Sequence, residues 1–74
     1  MPIVYFNFSG VNCTGYVAAV EAALYQTGVD HFEYDTFDKI AKIVFDEKDT
    51  SFEKIENAIK ELGFQMHIID IIEE

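Results

Sequence analysis

The chain predicts an α+β fold, a four-stranded antiparallel sheet covered on one face by two helices. Three observations carry the prediction. Apolar residues alternate with a period of two in four separate runs, they recur at helical spacing in two others, and the runs follow one another as βαββαβ. In that order each helix makes a right-handed crossover between strands of the same sense, which leaves both helices on one side. Seventy-four residues hold a single domain, 1–74, with no room for a second core.

The first strand is IVYFNFS, residues 3–9, where Val4, Phe6 and Phe8 form one face and Ile3, Tyr5 and Asn7 the other. From Thr14 to about Gln26 the period becomes helical, with Val17, Val20, Ala23 and Leu24 on one side. Gly28 follows as a C-terminal stop. The runs HFEYDTF and IAKIVFD, joined by a polar turn at Asp38-Lys39, read as a β-hairpin. Thr50 and Glu53 have the spacing of a capping box. The helix behind them places Phe52, Ile55, Ile59 and Leu62 on one stripe, and Gly63 ends it. The last run, FQMHIIDII from 64 to 72, is a β-branched strand with Met66 and Ile68 on its inner face. Together these elements specify a ferredoxin-like sandwich.

Composition narrows the functions open to such a domain. Half of the residues are apolar, seven Phe and four Tyr among them, enough core material for a small chain without covalent staples. A single cysteine, Cys13, rules out an internal disulfide. Fourteen acids against five lysines and no arginine give a net charge of −9. Such a surface excludes nucleic acid as a partner, because basic side chains on phosphates supply most of that affinity. No apolar run approaches the roughly 20 residues of a membrane span, and the N-terminus has no basic start followed by an apolar stretch. The expectation is a cytoplasmic protein without membrane insertion.

The stretch SGVNCTGY, residues 9–16, lies between the first strand and the first helix. It reads Gly10-Val11-Asn12-Cys13-Thr14-Gly15-Tyr16, and it resembles the Gly-Met-x-Cys-x-x-Cys loop of the heavy-metal-associated domain family of copper chaperones, mercury-binding proteins and metal-pumping ATPases. The segments VEAALYQTGVDHFEYD and IVFDEKDTSFEKIENAIKELGF are similar to the family's first helix with second strand, and to its third strand with second helix. The resemblance thus spans nearly the whole chain. It implies a soft-metal site at Cys13, with Gly10, Asn12 and Tyr16 as loop neighbours and Phe64 in the aromatic position beside the loop. It further implies Cu(I) or another soft ion as cargo and a metal-transporting ATPase as a possible partner. Tyr16 stands where the family has its second cysteine, and Val11 where it has methionine.

One cysteine offers one thiolate, whereas Cu(I) favours two and Zn(II) about four ligands. Met66, His31 and His67 are expected away from the first loop. Three readings follow. Two chains meet at their first loops and share one ion between two Cys13 thiolates; the domain has kept the fold and become a metal-free interaction module; or Cys13, just before a helix N-terminus, is a redox-sensitive thiol. No acid or base sits beside Cys13 in sequence to support enzymatic catalysis.

Two surfaces are expected to seek partners. The outer side of the first helix (Gly15, Ala18, Ala22, Tyr25) is almost uncharged, with Glu21 its one ionised residue. On the open sheet face Ile3, Tyr5, Val44, Ile69 and Ile71 form an apolar patch, interrupted by Glu33, Asp35, Lys42 and His67. The last strand is expected at an edge, long and free of lysine, and such an edge invites pairing. A homodimer or a protein-bound domain is the expectation. The acids Asp46, Glu47 and Asp49 lack the spacing of a calcium loop and read as a solvated turn.

Overall fold

The computed structural model describes residues 1–10 and 16–73, and Gly10 by its backbone alone. Its elements are β1 (Ile3–Gly10), α1 (Tyr16–Thr27), β2 (His31–Asp35), β3 (Ile40–Val44), α2 (Phe52–Glu61) and β4 (Phe64–Ile72). The sheet has the order β2-β3-β1-β4, with every neighbouring pair antiparallel. The predicted α+β sandwich of order βαββαβ is thus the observed one.

Alternation in β1 determines which residues meet the helices. Val4 and Phe6 are fully buried between sheet and helices, together with Val20 and Leu24 of α1 and Ile55 and Ile59 of α2. Each such side chain contributes roughly 1.5–3 kcal/mol by leaving water. Helix α1 ends where Gly28 takes a positive φ of 114°. There the Val29 N–H donates to the Leu24 carbonyl at 3.1 Å and the Gly28 N–H to the Tyr25 carbonyl at 3.2 Å, the paired bonds of a Schellman stop. The Tyr25 hydroxyl in turn accepts the Phe32 N–H at 3.1 Å, tying α1 to β2.

Three expectations need correction. The cap of α2 is Ser51, whose Oγ accepts the Lys54 N–H, and not Thr50. Thr50 is instead folded inward, 3% exposed, against the Gly28 turn. Leu62, expected on the buried stripe of α2, is the C-terminal cap residue and stands exposed. The third correction concerns β4. Its pairing with β1 shifts between Tyr5 and Phe6, with Phe6 opposite Ile68 but Tyr5 opposite Asp70. Ile69 is the extra residue, and beyond it the faces exchange. Ile71, opposite Val4, therefore lies on the helix side, and Ile72, opposite Ile3, takes its place on the open face.

Candidate metal-binding loop

β1 climbs to Gly10 at one end of the sheet, where Gly10 is paired with Phe64 at the start of β4. α1 begins at Tyr16 on the same end. Residues 11–15 join the two, so Asn12 and Cys13 lie outside the described residues. The loop neighbours on either side are described and form a platform of rings. Phe8 is its centre: the Tyr16 ring stands edge-on to it at 5.8 Å, Phe64 edge-on at 5.6 Å, and Tyr34 tilted at 5.7 Å. Tyr16 and Phe64 also meet each other, at 5.9 Å and 38°. Offset and edge-on pairs of this kind add roughly 0.5–1.5 kcal/mol each beyond the area they bury.

The two phenols of the platform are linked. Burial pushes the Tyr34 hydroxyl above its ordinary value of 10.0, and a hydrogen bond with Tyr16 raises it further, with smaller contributions from the charges of Tyr16 and Asp35. Tyr16 packs its ring against the core cluster. The position that resembles a second metal-binding cysteine is filled by a packing residue with a hard oxygen, which is no ligand for a soft ion. Phe64, 8% exposed, packs on Phe8 and Tyr16 as part of the core.

The remaining soft or nitrogenous donors are spread over the molecule. Met66 is half-buried against the core cluster on the helix side of β4. His31 pairs with Glu33 at 2.9 Å and sits in the row of Val44 and Ile3, at the opposite end of the sheet from Gly10. His67 was expected away from the loop, yet it lies opposite Asn7 with Nε2 3.3 Å from Ser9 Oγ, one residue short of Gly10. It occupies the open face, on the far side of the sheet from the ring platform. Among the described residues no group of three or more His, Cys, Asp and Glu side chains could hold an ion.

The acids of the β3–α2 connection fold as a local turn. Asp46 accepts the Lys48 N–H through Oδ1, and its carbonyl accepts the N–H groups of Asp49 and Thr50. A groove of about 740 Å³ is lined by Tyr5, Glu33, Tyr34, Asp35, Ile40 and Lys42. Sequence reasoning missed Tyr34 as part of the site; its place in the alternation of β2, on the face of Phe32, was the available signal.

A two-layer ferredoxin-like domain with one cysteine in the sequence between its first strand and first helix, and a bed of aromatic rings at that end of the sheet, defines a class of small scaffold. The heavy-metal-associated domain family matches residues 6–65, and the chain belongs to that family. It is similar over 96% of its length to 97% of a copper binding domain from HMA7, a P-type ATPase, at 28% identity and a TM-score of 0.80. It is also similar over 89% of its length to 98% of the copper chaperone of Enterococcus hirae in its apo form, at 31% identity and 0.74. Oxidized MerP from Ralstonia metallidurans CH34, 21% identical with a TM-score of 0.79 over 95% and 100% of the two chains, shares the fold. No curated protein matches the sequence. No helix among the described residues is long and apolar enough to cross a membrane.

Proposed function

We propose that this chain is a non-catalytic, cytoplasmic binding protein that takes a soft ion of the Cu(I) type through the Cys13 thiolate, with the ion shared between two chains. The observation that carries the reading is the placement of Tyr16. Its ring is committed to Phe8 and Phe64, and a phenol oxygen is a poor match for a soft ion, so the residue three positions after Cys13 supplies no second ligand. A lone thiolate binds Cu(I) weakly, and a second copy brings the missing one. The family membership and the copper-binding domains named above support the choice of ion. A P-type ATPase carrying a domain of the same kind is the natural recipient. Gly10, Asn12, Tyr16 and Phe64 would shape and shield the loop rather than ligate.

Anaerobic Cu(I) titration against a competing chelator tests this. The expected result is one ion per two chains, lost in Cys13→Ser. An ion bound by the Cys13→Ser chain overturns the thiolate account.

A metal-free interaction module is the second reading, and the same aromatic platform favours it, since Tyr16 packs there on Phe8 and Phe64 in place of a second sulfur. A wild-type chain that takes no Cu(I) under those conditions decides for it.

A further inference from the structure

The two edges of the sheet are built differently. β2 is five residues long and presents His31, Glu33 and Asp35 on its open face, whereas β4 runs for nine residues and nothing among the described residues covers its outer side. Ile68, Ile69, Ile71 and Ile72 of β4 are 40%, 50%, 48% and 39% exposed. Asp70 is the strand's one formal charge, with neither lysine nor proline beside it. An edge of this length and apolarity is a template for another strand.

We infer that β4 pairs antiparallel with β4 of a second copy, about a two-fold axis between Ile68 and Ile69. The register shift at Ile69 selects that partner. It places Met66, Ile68 and Ile71 on the helix side and His67, Asp70 and Ile72 on the open side. With the axis between Ile68 and Ile69, Met66 faces Ile71 of the second copy, His67 faces Asp70, and Gln65 faces Ile72. In the Met66–Ile71 and His67–Asp70 pairs both side chains lie on the same face, and the axis produces each pair twice. An axis through Ile68 would set Met66 against Asp70, with faces opposed. A regular foreign strand meets a bulged edge out of step. An identical strand carries the same extra residue at the same place, so both are interrupted together at the axis. The Asp70 carboxylate now accepts the N–H of its neighbour Ile71 at 2.9 Å, which guards the edge in a single chain. Across the axis it meets an imidazole instead, and the guard becomes a contact.

This association is separate from the ion-sharing one. β4 starts beside Gly10, three residues before Cys13 in sequence, so antiparallel pairing sends the two Gly10 ends apart, about 30 Å along the strands at ~3.4 Å per residue. A β4 pair therefore cannot share an ion.

Sedimentation of the reduced, metal-free Cys13→Ser chain from micromolar to millimolar concentration tests the pairing. A reversible dimer is expected. Ile69→Lys should be monomeric with an unchanged far-ultraviolet circular dichroism spectrum. His67→Asp should weaken the dimer by about tenfold or more, because like charges then oppose each other twice, and the double variant His67→Asp with Asp70→His should regain the loss. A monomer at every concentration overturns the inference, as does a dimer that Ile69→Lys and His67→Asp leave intact. Wild-type chains that dimerise only on Cu(I) sink the β4 pair and spare the ion reading. A β4 dimer of the wild type that takes no Cu(I) does the reverse.

Discussion

Tyr16 and Phe64 lie with ring centroids 5.9 Å apart, one opening α1 and the other opening β4, and both rest on Phe8. The contact closes the end of the sandwich at which β1 ends and α1 begins. A side chain at a ligand-like position has become part of the core.

Replacing that ring with sulfur should exchange stability for chelation. Tyr16→Cys is expected to lose about 1–3 kcal/mol in urea unfolding, as a half-buried aromatic leaves its cluster. The same variant should bind one Cu(I) per chain, against the one per two chains proposed for the wild type. Unchanged stoichiometry in a folded Tyr16→Cys chain would show that the loop cannot bring two sulfurs together.

Tyr34 links the platform to pH. Its folded-state value lies above the ordinary 10.0, so the fold holds the proton more tightly than the unfolded chain does. The resulting stabilisation is fully present below pH 10 and fades as pH rises through the folded value. Tyr34→Phe should flatten the fall of unfolding free energy above pH 10, followed by denaturant titration at several alkaline pH values.

Thr50 is buried, and its Oγ1 has no hydrogen-bond partner among the described residues. An unsatisfied hydroxyl costs more than an isosteric methyl, so Thr50→Val should stabilise the domain by about 1 kcal/mol. Thr50→Ser keeps the hydroxyl, loses the methyl, and should be less stable than wild type. Chemical denaturation of the pair separates the two contributions.

Gly28 answers to both backbone and space. Its φ is +114°, and a Cβ there would stand 3.0 Å from the Asp49 carbonyl oxygen and 3.3 Å from the Thr50 Cβ. Gly28→Ala should therefore cost about 1–3 kcal/mol in thermal or urea unfolding.

Most of the fold was readable in the chain because its patterns are local. The alternation of Val4, Phe6 and Phe8 and the helical spacing of Ile55 and Ile59 state which face is buried, whatever lies opposite. The cap of α2 was misread because Thr50 and Ser51 are adjacent and chemically equivalent as caps. Only the packing of Thr50 against the Gly28 turn gives the role to Ser51. At the site, the spacing from Gly10 to Tyr16 located the loop, but the direction of the Tyr16 ring depends on Phe8 and Phe64, which are near it only in three dimensions.

By itself the sequence determined the order of elements, the buried face of each and the solitary thiol in the first βα loop. These follow from residue type and period, which a chain carries before it folds. Tertiary structure alone decided that Tyr16 serves the core, and that Ile71 and Ile72 exchange faces across Ile69. Both depend on a partner brought from far along the chain: a ring to pack against in one case, a neighbouring strand's register in the other.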